Sequence, residues 1–214
     1  MNVLCFGDSN TFGLSAIDGS RLSEIERWPT LFKQAIGDEH QVIEAGQPNR
    51  TLVNNPPFTG NKSGVTYLKP YLEAHQLDVI IIQLGTNDLK ARFALTAEKI
   101  AEGLAQFINE IELFYQSTPQ PRLVIISPFT VFEVGQYQRI YAGAQVKAVQ
   151  LSHECRRIAH AHNCLFLDGH TLITPCKNEG IHLPATEHKK LANAVFELIY
   201  QYSGYLRRAV LISD

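Results

Sequence analysis

Several features of specialised protein classes are scarce or missing in this chain of 214 residues. Positive charge is not in excess, because 19 lysines and arginines face 21 aspartates and glutamates and the formal net charge is -2. This balance disfavours a nucleic-acid-binding surface. No run approaches the roughly 18 apolar residues of a membrane-spanning helix, since none is longer than Val79 to Ile82, which has only the length of a strand. We therefore expect neither nucleic acid nor a membrane as a partner.

Cysteines are few, and the first residues lack the pattern of an export signal. The four cysteines form no C-x-x-C pair and show no Cys/His ligand spacing. Residues 1–7 contain neither a basic region nor an apolar region of adequate length for secretion. We therefore expect reduced thiols and a cytoplasmic location. The cysteines are Cys5, Cys155, Cys164 and Cys176.

The short motifs of three large enzyme classes are also missing. The sequence contains no G-x-S-x-G, no G-x-x-x-x-G-K-[ST] and no G-x-G-x-x-G, so the α/β-hydrolase elbow and the phosphate- and dinucleotide-binding loops lack support. His153, His160 and His162 fall on one predicted helix without carboxylates at matching spacing. This pattern indicates a solvated helix face rather than a metal site.

Five short β-type runs alternate with longer segments of helical period. The third run is continuously apolar, which is typical of a strand covered by helices on both faces. Alternation of this kind predicts an α/β fold over residues 1–214 as a single domain, a three-layer α/β/α sandwich around a five-stranded parallel, flavodoxin-like sheet. The runs are Asn2 to Phe6, Gln41 to Glu44, Asp78 to Leu84, Arg122 to Ser127 and Cys164 to Leu167.

Helices are predicted most clearly in four of the intervening segments. One follows a cap at Thr96, where apolar residues from Ile100 to Phe114 form a single stripe. Another lies near the C-terminus, with Thr186 as its cap, and the remaining two cover much of 142–161 and begin near Gly64. Two long segments are predicted to be loops that are functional or interface-forming: Gly13 to Arg27 and Gly46 to Ser63.

Polar side chains follow several of the predicted strands. Ligands of an open parallel sheet bind beyond the carboxyl ends of its strands, and there the sequence places Ser9, Asn87 and, before the last helix, Glu179 and His182. A carboxylate three residues before a histidine can reach Nδ1 and leave Nε2 facing a serine. Each segment alone also makes an ordinary turn. Their combination at strand ends favours an acyl-transfer site.

The same residues carry a resemblance to the SGNH (GDSL-type) hydrolase superfamily. The segments that resemble its first, third and last blocks are Cys5 to Thr11, Gly85 to Asp88 and Gly180 to Leu183. The sequence looks most like the bacterial aryl esterase/acyltransferase branch at Arg27-Trp28, Val42-Ile43-Glu44 and Tyr67-Leu68.

The resemblance implies a serine esterase of small acyl or aryl esters that uses water or an alcohol as acceptor. Ser9 would be the nucleophile, His182 the base and Glu179 the orienting acid. The backbone N–H groups of Ser9 and Asn49 and the side chain of Asn87 would form the oxyanion hole. This chemistry requires no metal ion or cofactor. The expected partner is a small-molecule ester, and the resembled branch also permits a homo-oligomer.

Two positions depart from the family pattern. Asn49 stands where the family has glycine or sometimes alanine, although the contribution there is a backbone N–H, and Gly46 is an alternative donor nearby. Glu179 stands where the family has aspartate. Glutamate can orient imidazole in triads of other folds, but Asp168, after the fifth strand, is an alternative acid.

Three other interpretations remain open at this stage. The two departures motivate one alternative to a serine esterase, a catalytically silent relative that binds a ligand or partner, since fold does not guarantee function. A carbohydrate O-acetylesterase would keep the chemistry and change the substrate, as would a phospholipid esterase, which the modest charge disfavours. Loop aromatics could line an acyl or aryl pocket or simply pack the loops: Phe12, Phe58, Phe129, Phe132 and Tyr137.

Overall fold

Five parallel strands form one sheet in the computed structural model, which describes residues 1–53 and 64–212. Their spatial order is β2-β1-β3-β4-β5, the flavodoxin-like order predicted above. All four pairings are parallel. The strands are β1 (Asn2–Gly7), β2 (Gln41–Gly46), β3 (Val79–Gln83), β4 (Arg122–Ile126) and β5 (Leu165–Leu167).

Helices cover both faces of this sheet. In β3, Ile80 and Ile82 face one apolar core while Val79 and Ile81 face another. Alternate side chains of a strand point to opposite faces, so a strand buried on both sides is apolar at every position. The α-helices are α1 (Ser9–Phe12), α2 (Trp28–Ile36), α3 (Gly64–Ala74), α4 (Ala97–Phe114), α5 (Ala144–Ala161), α6 (Gly169–Leu172) and α7 (Ala185–Ile212).

The two cores use different helices. One core joins the sheet to α3, α4 and α5 through side chains such as Leu68, Phe107 and Leu151. The other joins it to α2 and α7 through side chains such as Trp28 and Leu191. The three-layer sandwich is therefore confirmed. No helix within 1–53 and 64–212 is both long enough and apolar enough to cross a membrane.

The helix boundaries show one error in the predictions, and three of the helices, α1, α2 and α6, were not predicted. Thr96 caps α4 through a bond from the Lys99 N–H, as predicted. Thr186 does not cap α7, because the helix already starts at Ala185 and the Pro184 carbonyl accepts the N–H groups of Glu187 and His188. α2 was not predicted, because it is short and carries a proline in its first turn, a position that tolerates proline. Residues 54–63 of the second predicted loop lie outside the described residues.

Candidate active site

Ser9 begins α1 directly after β1, at the carboxyl edge of the sheet. The Asp8 carboxylate accepts a hydrogen bond from the Asn10 N–H at 2.9 Å and thereby fixes the turn. Gly7 is required at the end of the strand, because a Cβ there would lie 2.0 Å from Thr11 Oγ1 and 2.8 Å from the Gln83 carbonyl. The Ser9 side chain consequently sits in a tight, largely buried turn, with 6% of the residue exposed.

His182 lies beside Ser9 although 173 positions separate them in the chain. Its Nε2 atom is 3.0 Å from Ser9 Oγ, and its Nδ1 atom is 2.5 Å from Glu179 Oε1. The imidazole is nearly buried, and the edge of the Tyr137 ring packs against it with the ring centroids 5.9 Å apart. The structure thus brings the three predicted side chains into one hydrogen-bonded chain.

The turn between Glu179 and His182 accommodates a glutamate side chain, which is one methylene longer than the aspartate of the family pattern. Glu179 Oε2 accepts the N–H groups of Ile181 at 2.9 Å and His182 at 2.7 Å, so the carboxylate folds back over its own backbone. Gly180 permits this turn because its φ is +103° and a Cβ would lie 2.2 Å from the Phe132 carbonyl oxygen. The acid spaced three residues before the histidine therefore reaches Nδ1.

The environment of Glu179 favours its ionised form. Burial by itself would raise the pKa of the carboxyl, but hydrogen bonds from the His182 ring, the His182 N–H and the Ile181 N–H together lower it below the ordinary glutamate value. Burial raises the pKa of the Tyr137 hydroxyl, and the negative charge of the nearby Glu179 carboxylate raises it further. A carboxylate is thus present beside Nδ1 at neutral pH.

Asn87 lies in a short 3-10 helix, Asn87–Leu89, just beyond β3. Its Nδ2 group donates to the Arg50 carbonyl at 3.0 Å, and the buried Tyr141 hydroxyl donates to its Oδ1 at 3.3 Å. These two bonds define which end of the amide is the donor. The side chain is therefore held in one orientation beneath the loop that follows β2.

Asn49 occupies that loop in a left-handed conformation, with φ +65°. Asparagine tolerates this region better than other residues with a Cβ, which accounts for an asparagine at a position where the family has glycine. Lys90 Nζ donates to Asn49 Oδ1 at 2.7 Å. Gly46 ends β2, and a Cβ there would lie 2.1 Å from the Phe12 nitrogen, so close packing against α1 explains this glycine.

Arg50 and Asp88 hold the loops together, and sequence reasoning did not single out either residue. The buried Arg50 guanidinium donates to the carbonyls of Gly7, at 2.9 Å, and Ala45, and thereby joins the ends of β1 and β2. Asp88 accepts the N–H groups of Leu52 and Val53. The sequence indicated only that both residues lie in loops at strand ends. It could not show their roles, because their partners include backbone groups of distant segments.

Two carboxyl groups beside the site are completely buried. Burial raises the pKa of Asp8 to about 6, although the Asn10 N–H and the charge of His182 oppose the shift. Burial also raises the pKa of Asp88 to about 6 against the bonds from Val53 and Leu52. Each carboxyl therefore releases its proton nearer to neutral pH than an exposed aspartate does.

Asp168, the alternative acid, occupies a different place in the fold. It precedes α6 and accepts hydrogen bonds from Ser152 Oγ at 2.9 Å, Arg156 at 2.8 Å and the Thr171 N–H at 3.3 Å. Within the described part of the chain, none of its hydrogen bonds or ion pairs involves His182. The side chain caps a helix and joins α5 to the end of β5.

The loop aromatics were expected either to line an acyl or aryl pocket or to pack the loops, and their positions differ. Tyr137 packs against His182, whereas Phe129 is buried in the core with α2 and α7. Phe12 lies under the Arg21 guanidinium, which is 4.5 Å from the ring centroid. Phe132 is half-buried and contacts Gly180 through its backbone. Phe58 lies outside the described residues.

Comparison with known proteins identifies similar enzymes. Residues 5–187 match the GDSL-like Lipase/Acylhydrolase family. A carbohydrate acetylesterase from Sinorhizobium meliloti is 28% identical, with a TM-score of 0.87 over 94% of this chain and 99% of the other. An aryl esterase from M. smegmatis is 29% identical, with a TM-score of 0.87 over 94% and 98%. A putative arylesterase from Agrobacterium tumefaciens is 25% identical, with a TM-score of 0.84 over 94% and 98%. Among curated proteins, no sequence matches this chain.

Proposed function

Because this chain belongs to the GDSL-like lipase/acylhydrolase family and is thus a serine hydrolase, we propose that it hydrolyses small acyl and aryl esters through Ser9, His182 and Glu179. One observation supports the proposal most strongly. Ser9 Oγ lies 3.0 Å from His182 Nε2, and Glu179 Oε1 lies 2.5 Å from His182 Nδ1. A nucleophile within hydrogen-bond reach of a base that a third group orients is the signature of nucleophilic catalysis.

The proton positions follow from the hydrogen-bond acceptors. The Glu179 carboxylate can only accept, so the Nδ1 atom of neutral His182 carries the proton and Nε2 has a free lone pair. Ser9 donates its hydroxyl proton to Nε2 as Oγ attacks the ester carbonyl. The imidazolium that forms lies against the Glu179 carboxylate, which stabilises it. The protonated ring then returns the proton to the leaving alkoxide or phenolate.

The oxyanion that forms on the carbonyl oxygen requires hydrogen-bond donors that are already in place. We assign this role to the backbone N–H groups of Ser9 and Asn49 and to Asn87 Nδ2. The orientation of the Asn87 amide supports the assignment, because Tyr141 and the Arg50 carbonyl hold Nδ2 as the donor end.

The acyl group then leaves Ser9 by attack of a second nucleophile. Water yields the acid, and an alcohol in the same position yields a new ester, so acyl transfer is part of the proposal. His182 acts as the base again in this step, because the same Nε2 atom faces the attacking oxygen. The proposed steps use no metal ion or cofactor.

Two substrate classes are proposed, because the similar structures include enzymes of both. One neighbour is described as an aryl esterase and another as a carbohydrate acetylesterase, and the two are almost equally identical to this chain. Esters of small acyl groups are common to both classes. We therefore propose a short acyl group, with either a phenol or a sugar as the leaving alcohol.

The decisive experiment measures the release of p-nitrophenol from p-nitrophenyl acetate by the wild type and by the Ser9→Ala variant. The expected result is a loss of kcat of roughly 10³-fold or more in the variant. Ser117→Ala provides a matched control, because Ser117 is exposed between α4 and β4, at the opposite edge of the sheet. Equal rates for the wild type and Ser9→Ala above the uncatalysed rate would show that Ser9 is not the nucleophile, and equal rates at the uncatalysed level would favour the catalytically silent alternative.

Substrate choice requires a second measurement. A panel of p-nitrophenyl esters of increasing acyl length and a set of acetylated sugars would be compared by kcat/KM. Hydrolysis of phenyl esters alone would support the aryl esterase assignment, and a preference for the sugars would support the acetylesterase assignment. Addition of an alcohol tests acyl transfer directly, because transfer produces a new ester at the expense of the free acid.

A further inference from the structure

Asn10, the residue after Ser9, contacts the backbone on both sides of His182. Its Nδ2 group donates to the Ile181 carbonyl at 3.2 Å, and its Oδ1 atom accepts the Leu183 N–H at 3.2 Å. We propose that Asn10 is a positioning residue that sets the place of the His182 imidazole relative to the Ser9 hydroxyl. The inference rests on the proposed function and goes beyond it, because Asn10 has no part in the triad or the oxyanion hole.

The backbone groups around His182 show why this contact matters. The N–H groups of Ile181 and His182 bind Glu179, and the His182 carbonyl accepts the Cys176 N–H at 2.9 Å. These partners belong to the same loop as the histidine and cannot position it relative to the serine. The Asn10 side chain, in contrast, comes from the element that carries the nucleophile.

Asn10 is itself held firmly in place. Its backbone N–H donates to Asp8 Oδ1 at 2.9 Å, and the residue is completely buried, with 0% exposed. Ser9 lies between Asp8 and Asn10 in this turn. The position of the Asn10 amide is therefore coupled to that of Ser9. Through its two hydrogen bonds to Ile181 and Leu183, the amide fixes the segment that carries His182 relative to Ser9.

The asparagine amide matches both groups, because its NH2 group donates and its oxygen accepts. A leucine would leave the Ile181 carbonyl and the Leu183 N–H buried without partners. An aspartate has the same shape, but its ionised form cannot donate to the Ile181 carbonyl. Its protonated form can donate through one oxygen and accept through the other, so it reproduces both bonds. Burial raises the pKa of such a carboxyl, which makes the protonated form accessible in mildly acidic solution.

The test compares Asn10→Asp and Asn10→Leu with the wild type, at temperatures well below the Tm of each variant. At about pH 8 both should lose kcat by about 10- to 100-fold with little change in KM, because a misplaced base slows chemistry without altering binding. Between about pH 8 and about pH 5.5 the defect of Asn10→Asp relative to the wild type should shrink, whereas that of Asn10→Leu should not. Asn193→Asp, the same change at an exposed position of α7, should show no defect at either pH.

A second readout does not depend on activity. The His182 Nδ1–H proton, which lies in a short hydrogen bond to Glu179, should give a low-field NMR resonance in the wild type. This resonance should shift or exchange faster in Asn10→Leu.

If Asn10 merely stabilises the fold, the variants would lower Tm and keep the wild-type kcat, pH profile and resonance, which would overturn the proposal. Wild-type protein without esterase activity would instead refute the proposed function, and the resonance would still decide the role of Asn10. If Asn10→Leu does not fold, the proposal is tested by Asn10→Asp alone, through the recovery of its kcat relative to the wild type at lower pH and through its His182 resonance.

Discussion

Replacement of Glu179 by glutamine tests the acid assignment most directly. The carboxylate accepts three hydrogen bonds, from the His182 ring and from the N–H groups of Ile181 and His182. Glutamine keeps one acceptor oxygen and gains an NH2 group that can only donate. If the oxygen stays on the backbone, the NH2 group faces Nδ1, and the neutral ring must then carry its proton on Nε2. In that tautomer His182 cannot accept a proton from Ser9.

The expected loss is large because the wrong tautomer removes general-base catalysis. The corresponding change from acid to amide in another serine triad lowers kcat by about 10⁴-fold, which is on the order of 5 kcal/mol of transition-state stabilisation. KM should change little, since Glu179 is nearly buried behind the histidine. Steady-state hydrolysis of p-nitrophenyl acetate at pH 8 measures both parameters.

Asp168→Asn is the matched control, because it makes the same chemical change at the alternative acid. Asp168 bonds to Ser152 and Arg156, so its loss should lower Tm while kcat stays within about 3-fold of the wild type. A larger loss of kcat in Asp168→Asn than in Glu179→Gln would refute the reasoning and identify Asp168 as the orienting acid. Comparable kcat values for Glu179→Gln and the wild type would remove Glu179 from the mechanism altogether.

Three further changes have definite expected outcomes. Asn49→Gly should keep kcat within about 3-fold and leave Tm unchanged or higher, because glycine adopts φ +65° without strain and retains the backbone N–H; a large loss of kcat would mean that the Asn49 side chain itself is required. Gly180→Ala should lower the free energy of unfolding by about 2 kcal/mol or more in urea titrations, because a Cβ would lie 2.2 Å from the Phe132 oxygen; wild-type stability would contradict this packing. The pKa of Asp8 is raised from 3.8 to about 6, so its contribution to stability is fully present below pH 3.8 and is lost as the pH rises through about 6. The free energy of unfolding of Asp8→Asn, measured in urea relative to that of the wild type, should therefore be higher at pH 7 than at pH 4. The same difference at both pH values would contradict the raised pKa of Asp8.

Much of the fold could be predicted because its signals are local. The continuously apolar β3 and the apolar stripe of α4 each report burial within one segment. α2 escaped prediction because it has only nine residues and carries a proline in its first turn. The start of α7 was misplaced because Pro184, which has no polar side chain, precedes the helix and accepts the N–H groups of Glu187 and His188 through its carbonyl.

The candidate site could be predicted in part for a topological reason. Parallel strands end at one edge of the sheet, so residues just beyond them, such as Ser9 and Asn87, were expected to lie close together. The interactions of Arg50 and Asn10 could not be predicted in the same way. Both side chains bind backbone groups of distant segments, and sequence alone does not show which carbonyls and N–H groups are left without partners in a turn.

The sequence by itself determined the class of fold, the edge of the sheet where the chemistry lies, and the residue types gathered there, because hydrophobic periodicity and strand order are properties of the chain. Only the tertiary structure decided that Glu179 rather than Asp168 contacts His182, that Asn49 is left-handed, and that Asn10 links the two loops. The last of these outcomes depends on distances between segments that lie 171 positions apart in the chain. Such distances are set by the packing of the whole sheet and its helices, which no local pattern encodes.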